Sequence, residues 1–331
     1  MTRPRISGFK VEELTSNNEA MQRCLQMATL AAKSAIPALI LGRTGTGKTL
    51  LAQAIHNSSD RAAGPFISFN ASAMSDTLLE SQLFGHQKGA FTGAQQTVKG
   101  KFELANHGTL FLDEIADMSP LAQAKILRAV EYGEFERVGG ERMLHSDARI
   151  LSATNCSLRE RIRDGRFRDD LYHRLDGLVL LIPELRDRPE DLPTLIASEL
   201  KAAAREAGKR ITSIQPEAMQ MLTGHDWPGN LRELSHTMRS VVLFCEGETV
   251  LPEHVQFQRD LAADIERETS LREEPVETRA PQPPDLSLDA AILAHVRRVY
   301  ETTGRNQRQT ARLLGISRGK LARHLAVAAP K

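Results

Sequence analysis

The sequence predicts an α/β fold built on a doubly wound parallel β-sheet, followed by a helical region and a small all-α unit. Five short apolar runs alternate with amphipathic helical patterns over residues 38–183, as strands and crossover helices do in parallel sheets. From residue 184 to about residue 250 the pattern is purely helical. After a proline-rich segment, residues 288–331 become apolar-periodic again.

The elements follow in order along the chain. Ser16 or Asn17 is expected to cap a first helix that carries an apolar stripe from Met21 to Ala32. A helix is also predicted over Pro120–Tyr132. The five strand-like runs are ALILG (38–42), FISFN (66–70), TLFLD (109–113), RILSAT (149–154) and VLLIP (179–183).

Composition divides the 331 residues into five segments. The segment before the last contains four prolines and many charges, which is typical of a flexible linker. The last segment carries nine Lys and Arg residues against two acidic residues. The expected segments are a polar lead-in (1–15), an α/β subdomain (16–183), a helical subdomain (184–258), a linker (259–287) and a basic helical domain (288–331).

Charge and cysteine usage exclude several classes of protein. The whole chain has 43 Lys and Arg against 42 Asp and Glu, so only a local segment is suited to a polyanion. Cys24, Cys156 and Cys245 lack the spacing of a zinc site or disulfide framework, and we expect small buried or idle thiols. No apolar run approaches the roughly 18 residues of a membrane helix, and no signal peptide is visible. We therefore expect a cytoplasmic protein that does not bind membranes.

Residues 42–49 read GRTGTGKT and match the phosphate-binding P-loop pattern GxxxxGK[ST]. The motif follows a strand-like run and opens a helix, where backbone N–H groups and the helix N-terminus attract phosphates. Lys48 is expected to reach the β- and γ-phosphates of ATP, and the Thr49 hydroxyl to bind Mg²⁺. The expected nucleotide-binding residues are Gly42, Arg43, Thr44, Gly45, Thr46, Gly47, Lys48 and Thr49.

Two acids end the third predicted strand, at the sheet edge where open α/β sheets bind ligands. Asp113 is expected to hold Mg²⁺, and Glu114 to polarise the attacking water. The alternative is that these acids cap the following helix. Asn155 ends the next strand and could sense the γ-phosphate, although Asn at a strand end is commonly a turn residue.

Three arginines are further candidates. Arg168 and Arg174 lie in GRFRDDLYHRL (165–175), where ordinary ion pairing with Asp169 and Asp170 is the alternative. Arg232 lies in WPGNLREL (227–234), from which it could reach back to the nucleotide. Spacing alone leaves the functional roles of all three arginines open.

The segment ESQLFGHQKGAFTGA (80–94) resembles the signature loop of sigma-54-dependent transcriptional activators, the bacterial enhancer-binding proteins of the AAA+ class. The P-loop, FLDEI (111–115), SATN (152–155), LRDRPEDLP (185–193) and the two arginine motifs fall in the same order as in that family. The resemblance covers roughly residues 14–258. The tail GRNQRQTARLLGISRGKLARHL (304–325) looks like the family's Fis-type helix-turn-helix.

The resemblance implies an AAA+ P-loop NTPase with a helical lid, assembled as a ring that is expected to be a hexamer. It assigns the Walker B pair to Asp113 and Glu114, and the first sensor residue to Asn155. Asn70 would restrain the catalytic glutamate. Arg168 and Arg174 would act as arginine fingers on a neighbour's nucleotide, and Arg232 as the second sensor residue.

The loop between residues 89 and 94 would contact the sigma-54 RNA polymerase holoenzyme, through Phe91 and Thr92 above all. Gly89 and Gly93 would let the loop bend and rise. Phe91 is flanked by small residues and is expected to be exposed, unless it is tucked into the base of the loop. The expected contact residues are Gly89, Ala90, Phe91, Thr92, Gly93 and Ala94.

The tail predicts helices over Asp289–Thr302, Gln307–Leu314 and Arg318–Leu325, with Ser317 as an N-cap. Ala291, Ile292, His295, Val296 and Val299 would lie on or near the apolar face of the first. Arg318, Lys320 and Arg323 would contact double-stranded DNA at an enhancer-like site. The alternative is a basic tail that packs on the ATPase domain.

The sequence therefore favours an ATPase that activates sigma-54-dependent transcription. One alternative is an AAA+ ATPase that remodels a different protein, and another is a DNA-binding repressor that does not hydrolyse ATP. Most relatives carry a sensing domain first, whereas about 15 residues precede the ATPase domain here, too few to fold into one. Regulation is expected from a partner in trans, from expression level, or from a domain removed from this sequence. Gln87 also departs from the Glu common in relatives, as Thr49 does.

Overall fold

The computed structural model describes residues 8–72, 74–257, 288–304 and 306–326. The predicted linker (259–287) lies outside these described residues. The chain forms two compact units, divided between residues 261 and 262. The five segment boundaries inferred from composition stay predictions.

Strands and helices alternate through the α/β part of the first unit. Its helices are α1 (Glu19–Ala32), α2 (Lys48–Asn57), α3 (Asp76–Phe84), α4 (Lys101–Leu104), α5 (Pro120–Tyr132), α6 (Leu158–Arg163) and α7 (Asp169–Leu175). Its strands are β1 (Ala38–Leu41), β2 (Phe66–Asn70), β3 (Gly85–His86), β4 (Val98–Lys99), β5 (Thr109–Asp113), β6 (Glu134–Glu136), β7 (Met143–His145), β8 (Arg149–Thr154) and β9 (Leu178–Leu181).

The central sheet has the strand order β2-β5-β8-β1-β9, and every neighbouring pair is parallel. Successive side chains of a strand point to opposite faces, and both faces of this sheet are covered. In β5, Leu110 and Leu112 pack into one core, and Phe111 packs into the other. The predicted doubly wound parallel sheet is therefore confirmed.

Three of the five predicted strands have the observed bounds, as does the predicted helix α5. The first strand ends one residue earlier, and the last is shifted to Leu178–Leu181. The predicted cap of α1 is wrong, because the Oδ1 atom of Asn18 accepts the hydrogen bond from the Met21 N–H at 3.1 Å. Ser16 and Asn17 donate instead to the carboxylate of Asp191, at 2.6 and 2.8 Å. A tertiary contact thus displaces the cap.

Two antiparallel hairpins, β3–β4 and β6–β7, form small sheets separate from the central one. A parallel bridge joins His86, the last residue of β3, to Val138 in the turn between β6 and β7. Strands of two or three residues are too short to show a periodic pattern, so the sequence did not predict these hairpins.

The lid follows, with helices α8 (Leu192–Ala207), α9 (Pro216–Gly224) and α10 (Asn230–Phe244). Its core surrounds Trp227, whose indole N–H donates to the Leu222 carbonyl at 3.0 Å. The prediction that this region is purely helical is wrong in one detail. The two-residue strands β10 (Ser213–Ile214) and β11 (Thr249–Val250) pair in parallel and join the connection between α8 and α9 to the segment that follows α10.

The second unit contains helices α11 (Leu288–Thr302), α12 (Gln307–Leu313) and α13 (Arg318–Ala326). Ser317 caps α13, because its Oγ atom accepts from the Lys320 N–H at 3.3 Å. Ile292 and His295 are exposed rather than on the apolar face of α11, and the side chain of Ala291 lies outside the described part. The core consists of Val296, Ala311 and Leu321, with Leu314, Ile316 and Leu325 packed against it.

None of the helices that the structure describes has both the length and the apolar character needed to span a membrane.

Candidate functional site

A polar cleft of about 420 Å³ lies at the carboxyl ends of β2, β5 and β8, beside the N-terminus of α2. Parallel strands bring their carboxyl ends to one edge of a sheet, so residues distant in sequence meet there. The cleft is lined by Thr44, Gly45, Gly47, Lys48, Thr49, Asn70, Ser72, Asp113, Glu114, Asp117, Asn155 and Arg232.

The P-loop curls around one end of this cleft, and five of its eight predicted residues line it. Lys48 is buried, and its Nζ atom donates to the Gly42 carbonyl at 3.0 Å. Arg43 turns away to pair with Glu184 at 3.3 Å. Thr46 is buried and donates to the Arg43 carbonyl, which holds the turn of the loop.

Asp113 and Glu114 stand where β5 ends and face the P-loop lysine. The Glu114 Oε1 atom lies 3.3 Å from Lys48 Nζ, and Glu114 Oε2 accepts from the Asn155 N–H at 3.1 Å. Glu114 adopts a left-handed backbone conformation with φ of +53°, which turns the chain sharply out of the sheet. Neither acid caps α5, because Ser119 does so. Glu114 does occupy the N-cap position of the short 3-10 helix Ile115–Asp117 that follows directly, but its side chain makes no capping hydrogen bond there.

The pKa of Asp113 is raised above its ordinary value, first by burial and then by the nearby negative charge of Glu114. The positive charges of Lys48 and Arg232 partly oppose this rise. A carboxylate that is short of solvent and has an anionic neighbour is suited to a cation. The Thr49 hydroxyl lines the same cleft, and hydroxyl and carboxylate oxygens are the ligands that Mg²⁺ prefers. These residues therefore fit a magnesium ion.

Two asparagines line the cleft in different ways. The Asn155 amide Nδ2 donates to Thr44 Oγ1 at 3.2 Å, which joins the end of β8 to the P-loop. Asn70 stands beside Asp113 in the register of β2 and β5. Its Oδ1 atom accepts from the Ser72 N–H at 2.8 Å. The hydrogen bonds of the described residues thus connect Asn155 to Glu114, and do not connect Asn70 to it.

Two lid residues at the start of α10 contact this part of the molecule, one at the cleft and one at the P-loop backbone. Arg232 lines the cleft, as the sequence predicted. Asn230, which the sequence analysis missed, is fully buried and donates from Nδ2 to the Thr44 carbonyl at 3.1 Å. A signal was present, because Asn is one of the few residues that tolerate the positive φ of +53° found here.

Arg168 and Arg174 lie outside the cleft of their own chain. Arg168 forms a two-pronged ion pair with Asp170, at 3.0 and 2.6 Å. Arg174 pairs with Glu131 on α5. Within one chain, Arg168 therefore forms the ordinary ion pair with Asp170 that is the alternative to a functional role. Both arginine side chains are about half exposed, at 45% and 54%.

The segment Gly89–Ala94 forms the tip of the β3–β4 hairpin. Gly89 and Gly93 have φ angles of +86° and +104°, and both face open space. Phe91 is half-buried, with its ring edge-to-face against His86 at 5.0 Å between centroids. The expectation of an exposed Phe91 is therefore wrong for this conformation, and the alternative of a Phe at the loop base fits. Thr92 is exposed.

In the second unit, Arg318, Lys320 and Arg323 are all exposed on α13. Gly315 supplies the turn before this helix, with φ of +64°. The three cations are therefore available to a polyanion.

Two protein families match the chain. Residues 14–181 match the family described as the Sigma-54 interaction domain. Residues 186–271 match the family described as the AAA+ ATPase lid domain. Together these matches cover the sheet, the hairpins and the lid.

Three curated relatives are regulators. The chain is 41% identical over 312 residues to regulatory protein AtoC of Escherichia coli strain K12, covering 93% of this chain and 66% of AtoC. It is 39% identical over 318 residues to transcriptional regulatory protein ZraR of the same strain, covering 95% and 68%. It is 43% identical over 252 residues to the Nif-specific regulatory protein of Herbaspirillum seropedicae, covering 76% and 46%. The chain thus spans about half to two thirds of these relatives.

Among solved structures, NtrX from Brucella abortus in complex with ATP is similar with a TM-score of 0.67 and 31% identity. The match covers 98% of this chain and 71% of NtrX. The ADP complex of NtrX is similar with the same TM-score and 32% identity.

Proposed function

The chain belongs to the AAA+ family of sigma-54-dependent transcriptional activators, and from that premise we propose that it hydrolyses ATP to remodel the sigma-54 RNA polymerase holoenzyme. The observation that carries this proposal is the conjunction of two features in one unit. One is a cleft that combines a P-loop lysine with paired acids, and the other is a loop on a separate hairpin whose two glycines face open space. Because its target is RNA polymerase, the protein would act in the cytoplasm.

The cleft has the groups that phosphoryl transfer to water requires. Backbone N–H groups of residues 44–49 and the Lys48 ammonium would bind the phosphates. Thr49 and Asp113 would hold Mg²⁺, which would neutralise charge on the β- and γ-phosphates. Glu114 would orient the attacking water and accept its proton. Asn155 and Arg232 would contact the γ-phosphate from β8 and from the lid.

Arg168 and Arg174 would complete the site in a ring, expected to be a hexamer. Neither arginine lines the cleft of its own chain. Their ion pairs are partly exposed and contribute little free energy, so exchanging them for contacts with a neighbour's phosphates would cost little stability. An arginine supplied by a neighbour stabilises charge in the transition state and is worth roughly 10³–10⁵ in rate. Hydrolysis would then depend on assembly.

The loop Gly89–Ala94 would contact sigma-54. Its two positive-φ glycines face open space and the aromatic contact of Phe91 is with His86 alone, which would let the loop rise without disturbing the central sheet. Ala94 is buried in this conformation, so it would have to become exposed to join the contact. Thr92 is already exposed at the tip. Release of Phe91 from His86 would add an apolar side chain to the contact surface.

The second unit would bind enhancer-like double-stranded DNA through Arg318, Lys320 and Arg323. The support is their common exposure on one capped helix, together with the basic composition of residues 288–331. A regulator acting in trans remains part of the proposal.

The test is complex formation with purified sigma-54 in the presence of ADP and aluminium fluoride, which mimic the transition state. The full chain should bind, and Thr92→Ala should bind at least about tenfold more weakly, as for a central interface residue. Thr77→Ala, at an exposed position of α3, is the matched control. If neither the full chain nor the control binds while ATP is still hydrolysed, remodelling of a different protein becomes the better explanation.

A further inference from the structure

Asn230 joins the lid to the P-loop with both ends of its carboxamide. Its Oδ1 atom accepts from the Leu185 N–H at 2.7 Å, where the chain enters the lid. Its Nδ2 atom donates to the Thr44 carbonyl at 3.1 Å. The side chain is fully buried, so each of these bonds would be expensive to lose.

The contact does not stop at Thr44. The Thr44 hydroxyl accepts from Asn155 Nδ2 at 3.2 Å, and the Asn155 N–H donates to Glu114 at 3.1 Å. Hydrogen bonds therefore connect the lid, through Thr44 and Asn155, to the glutamate that would activate water. Successive bonds in this series use different atoms of Thr44 and of Asn155, so the connection passes through the covalent structure of both residues.

At the lid end of this series the backbones of the P-loop and the lid lie against each other. A Cβ atom on Gly45 would lie 2.2 Å from the Gly229 carbonyl oxygen, so the P-loop backbone and the lid backbone are in direct contact. Asn230 itself adopts a positive φ of +53°, a conformation that tolerates Asn but that few other side chains adopt. A shift of the lid would therefore either break the bond between Asn230 and Thr44 or displace Thr44.

We propose that Asn230 is a positioning residue, which acts through Thr44 to set the Asn155 carboxamide and the Glu114 carboxylate for hydrolysis. This inference rests on the proposed ATPase function. It gives the lid a route to the water-activating carboxylate that is separate from a direct contact of Arg232 with the nucleotide.

The sharpest variant is Asn230→Asp, because the new side chain still accepts from the Leu185 N–H but places an oxygen against the Thr44 carbonyl. Asn230→Gly is the second variant, since glycine adopts the positive φ freely and removes both bonds. In the full chain, both should lower kcat about tenfold while the KM for ATP and the affinity for ADP change less than about threefold. The expected split arises because the phosphate-binding backbone keeps its own contacts.

A double-variant cycle separates positioning from support of the fold. If Asn230 acts through Asn155, adding Asn230→Gly to Asn155→Ala should lower kcat no further than Asn155→Ala does. If Asn230 only supports the lid, the two losses should multiply.

Lys209→Met is the matched control for lid stability. Lys209 Nζ donates to the carbonyls of Val242, Leu243 and Cys245, and it has no contact with the cleft. This variant should lower Tm while kcat stays unchanged.

The outcomes distinguish the two proposals. If the full chain hydrolyses ATP no faster than Lys48→Ala, the proposed function fails. If the full chain is active and folded Asn230→Asp keeps its kcat, the positioning role is overturned and the proposed function stands. Multiplying losses in the cycle, or an equal loss of ADP affinity, would also overturn the positioning role.

Discussion

The nucleotide cleft and the loop Gly89–Ala94 are built in opposite ways. In the cleft, Lys48 is 7% exposed and held by Gly42 and Glu114, and the acids are fixed by the ends of parallel strands. The loop stands on a hairpin of two-residue strands, and its glycines face open space. The difference teaches that the groups proposed for hydrolysis are held at the edge of the central sheet, whereas the segment proposed to contact sigma-54 lies on a short hairpin outside that sheet.

The largest expected effect is a loss of ATP hydrolysis on changing the cleft. We expect Glu114→Gln to lower kcat by about 10²–10⁴-fold, because the amide cannot accept a proton from water. The affinity for ATP should remain, since Lys48 keeps its bond to Gly42. Steady-state hydrolysis and nucleotide titration measure the two quantities.

Glu217→Gln is the control for Glu114→Gln, at an exposed position of α9. A Glu114→Gln protein that hydrolyses ATP at the normal rate would show that the water-activating group lies elsewhere.

The second prediction compares two phenylalanines of neighbouring segments. Phe102 is 1% exposed and stacks on Phe84 at 5.5 Å, so Phe102→Ala should cost about 3–5 kcal/mol of unfolding free energy. Phe91 is half-buried against a single histidine ring, so Phe91→Ala should cost less than about 1 kcal/mol. Chemical denaturation of both variants measures the difference. Similar losses would mean that the loop is part of the rigid frame.

The third and smallest effect is a gain in stability. The pKa of Asp113 is raised by burial and by Glu114, so the folded state binds this proton more tightly than the unfolded state does. The ionised carboxylate therefore destabilises the fold above its unfolded pKa, and stability falls as pH rises towards the folded pKa. Asp113→Asn should raise Tm by about 1–4 °C at neutral pH while it lowers ATP hydrolysis.

The gain in Tm should vanish below the ordinary pKa of aspartate, where the carboxyl is protonated in both states. Thermal melts across pH, without nucleotide or metal, measure it. A drop in Tm for Asp113→Asn at neutral pH would mean that this carboxylate is well compensated by Lys48 and Arg232.

Local patterns of apolar and polar residues predict most strands and helices of the central sheet. The strands 66–70, 109–113 and 149–154 and the helix Pro120–Tyr132 were predicted with their observed bounds, because buried strands and capped helices leave strong periodic signals. The hairpins β3–β4 and β6–β7 were not predicted, since two or three residues show no period. The cap of α1 was misplaced because Asp191, distant in sequence, binds Ser16 and Asn17.

By itself the sequence determined the P-loop residues and the two acids of the cleft, because the P-loop spacing and acids at a strand end are local patterns; it did not predict Ser72 and Asp117, which also line the cleft. Only the tertiary structure decided that Asn155, and not Asn70, hydrogen-bonds Glu114, and that Phe91 packs against His86. It also revealed Asn230, whose partners Thr44 and Leu185 lie 186 and 45 residues away. The physical reason is that hydrogen bonds and aromatic contacts depend on distances of a few ångströms, which folding sets between segments that sequence spacing does not relate.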